Sequence, residues 1–576
     1  CIRDRYELLP VNKLPSWAQE VFPSNETSTF NRIQSKIYPK AFESDDNLLI
    51  CAPTGAGKTN VAMLTMLRTI ENYRSNGHID ANKFKIVYIA PLKALVQEQM
   101  REFQRRLTSV FGLVVNELTG DSSLTQQQIL ETNVIVTTPE KWDIITRKDH
   151  DYLKLVKLLI IDEIHLLHDL RGPVLEGIVS RIVRTGEEDI RIVGLSATLP
   201  NYLDVAKFIR ANDVGVFYFD SSYRPCPLEQ KFVGIKDQKA LKKKIAINEA
   251  CFDQTCNVLK RNQQLIIFVH LRNETAATAE YLIESLSNLD IEVVTEISTR
   301  EILQQESERV TNSKLQRLLL SGIGIHHAGL TRDDRTLVED LFAQGHLKAL
   351  VSTATLAWGV NLPAHTVIIK GTDVYSPEAG NWTQLSPQDV FQMLGRAGRP
   401  RYDKNGEGII ITSQDRIQYY LAILNQQYPI ESQLMTKLID NVNAEVVAGT
   451  ISSLNDGIKW LGYTYLYVRM LQSPKLYGAD SLTSEEDPTM YVRRQELIDA
   501  AFSVLYENKL LFREGDKVVS TPLGKIASYH YISYETVARY NQMLRPWHTE
   551  GDIIRVFAHS DEFQFIPVRS CLLYTS

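Results

Sequence analysis

At 576 residues the chain is too long for one ordinary core, and three or four domains are expected. Hydrophobic residues make up 44% and charged residues 23%, as in a soluble globular protein, and no apolar run approaches the roughly 18 residues of a membrane span. The net charge of −6 gives no global basic excess, so nucleic-acid binding must be argued from placed residues that create local positive potential.

The chain opens on Cys1-Ile2-Arg3-Asp4-Arg5, with neither a signal-peptide core nor a starting Met, and reads as a piece of a longer intracellular protein. Short runs rich in Ile and Val then recur, each ending in a turn. They are Leu48-Leu49-Ile50-Cys51, Ile86-Val87-Tyr88-Ile89, Val134-Ile135-Val136, Leu158-Leu159-Ile160-Ile161 and Ile192-Val193-Gly194-Leu195. Longer amphipathic stretches separate them. This pattern predicts a parallel sheet buried on both faces, with ligands at the carboxyl ends of its strands. Ser221-Ser222-Tyr223-Arg224-Pro225-Cys226-Pro227 reads as a linker, after which the pattern restarts. Its strands are Leu265-Ile266-Ile267-Phe268-Val269, Leu350-Val351, Val367-Ile368-Ile369 and Ile409-Ile410-Ile411.

The densest basic run, Lys242-Lys243-Lys244 with Lys236 and Lys239 before it, reads as a solvated helix face. Past about residue 425 helical periodicity dominates, as over Trp460-Leu461-Gly462-Tyr463-Thr464-Tyr465-Leu466-Tyr467-Val468. Lys517-Val518-Val519-Ser520-Thr521, before Pro522-Leu523-Gly524, reads as a small hairpin leading into another helix. Helices followed by such a hairpin predict a winged-helix domain. The last seven residues, Ser570 to Ser576, fit nothing upstream and read as a foreign tail. Cys1, Cys51, Cys226, Cys251, Cys256 and Cys571 form no C-x-x-C pair, so buried or free thiols are expected rather than a zinc site.

Ala52-Pro53-Thr54-Gly55-Ala56-Gly57-Lys58-Thr59 lies between a strand and a helical run. Glycines there let backbone N–H groups approach phosphate, and the helix N-terminus adds positive potential. Thr54, Gly55, Ala56 and Gly57 are candidate cradle residues. Lys58 is placed to reach the β- and γ-phosphates, and Thr59 to bind Mg²⁺ through its hydroxyl. Ala52 stands where the general phosphate-loop pattern has glycine. Asp162-Glu163-Ile164-His165 ends another strand, with Asp162 as the metal residue and Glu163 as the general base. Ser196 and Thr198, around Ala197, offer two hydroxyls that could bond the acidic turn and relay its state.

Gln392-Met393-Leu394-Gly395-Arg396-Ala397-Gly398-Arg399 supplies charge from the other lobe. Gln392, Arg396 and Arg399 are three or four residues apart, which predicts one face of a helix. An arginine reaching the γ-phosphate oxygens contributes roughly 10³–10⁵ in rate. Residues 326 and 327, adjacent histidines, point apart on a strand or turn and are not read as a metal site.

Residues 52–59, 162–165, 196–198 and 392–399 resemble motifs I, II, III and VI of DExH-box superfamily 2 helicases. The other motifs follow in order. Asn31-Arg32-Ile33-Gln34 resembles the adenine-reading segment, with Gln34 as reader. The resemblance implies nucleic-acid contacts at Pro91, Lys93, Thr119, Gly120, Thr138, Pro139 and Glu140 in the first lobe. In the second it implies His270, Arg272, His327, Thr353 and Asn361, with Gly359 on the nucleotide. His168-Asp169-Leu170-Arg171-Gly172-Pro173-Val174-Leu175-Glu176, SATLPNY from residue 196 and WGVNLPA from residue 358 resemble the Ski-type branch. Val374-Tyr375-Ser376-Pro377-Glu378 and the stretches 424–427 and 430–433 are similar to the spliceosomal members of that branch.

The resemblance implies an α/β fold of two tandem RecA-like parallel-sheet lobes, a winged-helix domain and the start of a helical ratchet domain. The divisions are 1–215, 216–425, 426–525 and 526–569, with 570–576 as tail. It further implies an ATP- and Mg²⁺-dependent RNA helicase of the nucleus that moves 3′ to 5′. Its implied partners are the U4/U6 small nuclear RNA duplex, U5 particle proteins and a second helicase cassette of the full-length protein. Residues 371 to 385 resemble a strand-separating hairpin. Three alternatives stay open: a paralogue of the activating-signal cointegrator complex, a DNA-repair helicase of the same branch, and an ATP-binding scaffold without turnover.

Overall fold

The computed structural model describes residues 8–22, 29–120, 124–147, 151–185, 190–237, 239–360, 362–376, 380–399, 402–424, 429–478 and 487–563. The chain divides into two compact units, residues 1–52, 57–218 and 429–576 in one, residues 53–56 and 219–428 in the other.

The first unit is built on seven strands: β1 Leu48–Cys51, β2 Lys85–Ile89, β3 Val115–Leu118, β4 Val134–Thr137, β5 Val156–Ile161, β6 Arg191–Ser196 and β7 Val216–Tyr218. Their order across the sheet is β3-β4-β2-β5-β6-β1-β7, and every pairing is parallel. β7 pairs with β1 (Leu49↔Val216), so a division at residue 215 cuts off a strand of the first lobe. The sheet rather than the linker sets that boundary.

Two buried cations fix helix ends to this sheet. Lys85 Nζ donates to the carbonyls of Ile129, Leu130 and Thr132 at 2.6–2.8 Å, closing the helix Gln126–Glu131. Arg191 donates to the carbonyls of Lys40, Ala41 and Asp46 at 2.7–3.1 Å, closing the helix Arg32–Phe42. Cations suit the negative end of a helix dipole, and these bonds satisfy carbonyls that the helix leaves open.

The second unit holds β8 Leu228–Ile235, β9 Leu265–Val269, β10 Ile323–His326, β11 Ala349–Thr353, β12 Thr366–Lys370 and β15 Gly406–Ser413, in the order β8-β15-β12-β9-β11-β10, again all parallel. Between β12 and β15 lies an antiparallel hairpin of β13 Asp373–Ser376 and β14 Asn381–Gln384. Its tip, residues 377–379, is outside the described residues, as are 425–428, Cys1, Cys571 and the tail 570–576. Cys51, Cys226, Cys251 and Cys256 are buried and free.

The winged-helix region returns to the first unit. Trp460, Leu466, Ile498, Leu505 and Leu510 pack its core. The helical pattern around residue 464 is two helices, Leu454–Leu461 and Tyr465–Gln472. Thr464 separates them, and its side chain accepts the Tyr467 N–H at 3.2 Å, an N-cap that periodicity alone does not reveal. The hairpin of β16 Leu511–Glu514 and β17 Lys517–Ser520 precedes the helix Pro522–His530, as the sequence predicts.

Buried polar groups lock this region onto the first sheet's helices. Asp143 takes Arg181 at 2.6 Å on one oxygen, and Arg147 at 2.6 Å and the Tyr531 hydroxyl at 3.0 Å on the other. Arg181 continues to Glu445 at 2.5 Å. Such a network adds little net stability, but it specifies geometry, since breaking it leaves a buried charge uncompensated. Glu176, also buried, accepts the Leu466 N–H at 2.8 Å and meets the Ser432 hydroxyl. Burial pushes its carboxyl up to about 8. The unfolded chain ionises this group above about pH 4.5, whereas the fold holds the proton to about pH 8. Stability is therefore full below pH 4.5 and declines as pH rises to 8, by roughly 3 kcal/mol at pH 7. A Glu176→Gln chain keeps an acceptor for Leu466 and a donor for Ser432 without that loss. Denaturant unfolding of parent and variant between pH 5 and 8 should diverge, the variant gaining as pH rises; parallel curves would refute the buried-proton reading.

Candidate nucleotide and nucleic-acid site

The phosphate-loop residues leave β1 and enter the helix Lys58–Asn72. Gly55 and Gly57 adopt φ of +79° and +82°, which only glycine holds without strain. A Cβ on Gly57 would stand 2.5 Å from Gln34 Nε2 and 3.0 Å from Asn31 Nδ2. Gln34 sits in a capping box. Its Oε1 accepts the Asn31 N–H at 3.1 Å, its own N–H donates to Asn31 Oδ1 at 2.8 Å, and its Nε2 donates to the Gly57 carbonyl at 3.2 Å. Lys58 Nζ is held by the carbonyls of Ala52 (3.3 Å) and Ser196 (3.1 Å). Ala56 N–H donates to the Pro53 carbonyl, closing a turn over Thr54 and Gly55, and Thr59 follows in the helix's first turn.

Asp162 follows β5. Its carboxylate accepts the Tyr88 hydroxyl at 2.7 Å and the Glu163 N–H at 3.0 Å. Burial and the adjacent Glu163 charge hold it well above the usual carboxylate range. That repulsion is what a divalent cation relieves. One carboxylate, one hydroxyl and substrate phosphates also suffice for Mg²⁺, so Asp162 and Thr59 fit the ion. Glu163 has φ +53°, a left-handed backbone uncommon for a side-chain-bearing residue and recurrent at active sites.

His165 Nδ1 accepts the Ala197 N–H at 3.2 Å and lies 3.3 Å from Glu163 Oε2. Burial lowers its pKa and keeps the ring neutral. The contact between the acidic turn and residues 196–198 thus runs through backbone and His165, with the Ser196 carbonyl on Lys58. Of the two hydroxyls expected to relay the state of the acidic turn, that of Ser196 is buried at the end of β6.

The expected nucleic-acid residues of the first lobe gather at the carboxyl ends of β2, β3 and β4. Pro91 follows β2 and Lys93 opens the helix Lys93–Phe103. Thr119 and Gly120 follow β3, and a Cβ on Gly120 would lie 3.4 Å from Lys93 Nζ. Thr138, Pro139 and Glu140 form the N-cap and first turn of the helix Pro139–Thr146. Arg171 joins two of these groups, donating to the Pro91 carbonyl and approaching Glu140 at 3.4 Å. Arg171, Tyr88 and His165 escaped the sequence reading as site residues, although Arg171 and His165 lie in quoted motifs.

In the second unit His270 follows β9 and donates from Nε2 to the Gly371 carbonyl at 2.7 Å. Arg272 is exposed at the start of the helix Arg272–Ser287. His327 follows β10; burial, then Arg272 and His326, lower its pKa. His326 pairs instead with Glu339 at 2.8 Å. Thr353 ends β11 and its hydroxyl lies 3.0 Å from that of Thr355. Gly359 ends the helix Thr355–Gly359, and Asn361 is outside the described residues.

Gln392 lies on the helix Pro387–Leu394, but Arg396 and Arg399 come after its end, so the three do not share a helical face. Ala397 bridges in parallel to Ala364, and Gly398 takes φ +87°, which breaks the helix. Arg396 donates to the Ala357 carbonyl from Nε (3.1 Å) and Nη2 (2.5 Å). Arg399 makes a two-pronged bond to Asp403 at 2.9 and 3.0 Å and donates to Gln264 Oε1 at 2.7 Å.

Gly57→Ala therefore forces both a strained φ and a collision with the Gln34 amide. Fluorescent-ATP titration should show at least a tenfold loss of affinity; unchanged binding would remove Gln34 and Gly57 from the nucleotide site.

Residues 31–205 match the DEAD/DEAH box helicase family and residues 299–401 the helicase conserved C-terminal domain. Residues 431–513 match a winged helix-turn-helix domain and residues 520–571 the Sec63 Brl domain. The chain is 53% identical over 98% of its length to pre-mRNA-splicing factor brr2 of Schizosaccharomyces pombe, covering 26% of that protein. It is 52% identical over 98% to the human U5 small nuclear ribonucleoprotein 200 kDa helicase, covering 27% of it. It is also 52% identical over 98% to the activating signal cointegrator 1 complex subunit 3-like protein of Dictyostelium discoideum, covering 26%. The chain thus spans about a quarter of the length of these relatives. Both helicase domains are matched in order, on two parallel sheets that carry the motif residues at their strand ends, and the chain belongs to the DExH-box helicases.

Proposed function

We propose that the chain is an ATP-dependent RNA helicase module that couples ATP hydrolysis to 3′–5′ movement on one strand and to duplex unwinding. The observation that carries this reading is the joint placement of Lys58, Asp162 and Glu163 at the carboxyl edge of one sheet. Gln34, oriented by its cap, keeps one N–H and one lone pair free for the edge of adenine. Lys58 and the N–H groups at the start of its helix bind the β- and γ-phosphates. Magnesium, held by Thr59 and Asp162, supplies neutralising charge at those phosphates. Glu163 orients the attacking water and takes its proton, and His165 reports its state to the Ala197 backbone. Arg396, Arg399 and Gln392 are the residues proposed to stabilise charge on the γ-oxygens, about 4–7 kcal/mol of barrier, and Gly359 is a further proposed nucleotide contact.

The strand is gripped mainly by its phosphates, at Pro91 to Glu140 in one lobe and at His270, Arg272, His327, Thr353 and Asn361 in the other. The proposed domain limits near 425 and 525 follow this division, with the first limit moved from 215 to after β7 at Tyr218 and the ratchet domain beginning after the winged helix. The names of the relatives support a role in pre-mRNA splicing, within the nucleus and among U5 particle proteins. The U4/U6 duplex is the proposed substrate, with a second cassette in the full-length protein. The Dictyostelium relative favours one alternative, a cointegrator-complex helicase. Competition between RNA and DNA duplexes separates an RNA motor from a DNA-directed one.

Steady-state ATPase with and without single-stranded RNA tests the motor, which requires stimulation. Glu163→Gln should abolish hydrolysis and leave ATP binding within a factor of about three, since one oxygen becomes an amide without lost volume; residual turnover near the parent's would sink the assignment of the base. For the hairpin of β13 and β14, replacing both Tyr375 and Trp382 by Ala should cut unwinding at least tenfold while RNA-stimulated ATPase persists. Unwinding at the parent's rate would overturn the separating role.

A further inference from the structure

Five lysines crowd residues 236–244 with only Asp237 to oppose them. Lys239 is the N-cap of the helix Ala240–Leu259, Lys242 and Lys243 end its first turn, where no acidic residue stands, and Lys244 follows. That is the wrong sign for the positive end of a helix dipole, so the run weakens the helix it begins. A solvated face ordinarily mixes both signs. Lys236, Lys239, Lys242 and Lys244 are exposed, and among the described residues none makes an ion pair. Lys243 departs from the solvated reading: its Nζ bonds Asp373 Oδ2 at 2.6 Å.

Asp373 opens the hairpin and pairs in register with Gln384, whose Nε2 bonds Asp373 Oδ1 at 2.7 Å. Two residues further, Tyr375 pairs with Trp382. Residues i and i+2 of a strand share a face and lie about 7 Å apart. The side that Lys243 meets is therefore the side carrying both rings. Tyr375 is 47% and Trp382 57% exposed, and their rings meet edge to face with centroids 5.8 Å apart. Uncovered aromatics beside unneutralised lysines form the footprint of a single-strand binder, with bases on rings and phosphates on cations.

We propose that the lysine run 236–244 and this aromatic face form one surface that receives the strand displaced from the duplex. The proposal rests on the reading of the hairpin as separator, and adds where the departing strand goes. It commits to single-stranded nucleic acid because stacking rings accompany the charge; an acidic protein segment would use the lysines alone.

The test is a forked RNA duplex whose displaced strand carries 4-thiouridine next to the fork. In the unsubstituted chain, irradiation should join that strand to residues 236–244 or to the hairpin. Lys239→Ala, Lys242→Ala and Lys244→Ala together, leaving Lys243 on Asp373, should cut that crosslink at least fivefold, while the crosslink from the tracking strand persists. The log–log salt slope of fork binding should fall by about 2, at roughly 0.7 per lost phosphate contact. A displaced-strand crosslink that maps elsewhere, or that survives the triple substitution, overturns the proposal. So does its absence in the unsubstituted chain, the result expected if the run serves an acidic protein. Failure of the separator reading registers separately, as unwinding that survives loss of Tyr375 and Trp382 whatever the crosslink shows.

Discussion

Parallel strands all deliver their carboxyl ends to one edge, and each following helix brings unsatisfied N–H groups to that edge. Everything that binds or reacts in the first unit depends on this constraint. The strand order sorts the edge into two neighbouring halves. β5, β6 and β1 lead to Asp162, Ser196 and Lys58, while β3, β4 and β2 lead to Thr119, Thr138 and Pro91. The halves meet where β2 lies beside β5. There the Tyr88 hydroxyl, on a ring buried in the sheet, donates to Asp162. A change in the acidic turn thus has a direct physical route to the strand whose next residues carry Pro91 and Lys93.

Catalytic geometry of this kind needs its supports anchored away from the ligand. The helix that presents Gln34 at one end is tied by Arg191 at the other, so β6 sets the position of Gln34. The helix that begins at Pro139 carries Asp143 in its body, where Arg181, Arg147 and Tyr531 converge. The charges on Asp143, Arg181, Arg147 and Glu445 cancel in the interior, which makes the arrangement tolerable; their directional bonds make it specific. The winged-helix region is therefore part of the scaffold that holds the helix starting at Pro139 against the first sheet.

How much of this was legible follows from burial. The inner strands β1, β2, β4, β5, β6, β9, β11, β12 and β15 announce themselves as apolar runs because both faces are covered. β3, β7, β8 and β10 do not, and these are the four sheet edges. β7 and β8 are only partly covered or exposed over almost their whole length, and β10 is four residues with a glycine and a histidine. The motif residues were legible because phosphate chemistry dictates type and spacing locally. Tyr88, His165 and Arg171 were not, because each acts on a group brought near only by the sheet: 74 residues separate Tyr88 from Asp162, and 80 separate Arg171 from Pro91.

The arginine-bearing turn of the second unit shows why spacing alone misjudges geometry. A Cβ on Gly398 would meet Cys226 Sγ at 2.6 Å, and one on Gly406 would meet the Gly398 nitrogen at 2.5 Å. The chain at residues 395–399 is thus pressed against the segment read as a linker. Arg224 of that segment donates from Nη2 to the carbonyls of Leu394 (3.0 Å) and Ala397 (2.7 Å), closing the helix end from outside. A helix running on through Arg399 would need those carbonyls for itself and would drive side chains into Cys226. The linker, by its cation and its thiol, therefore stops the helix, and Arg396 and Arg399 are set by backbone bridges and by Asp403 rather than by helical phase.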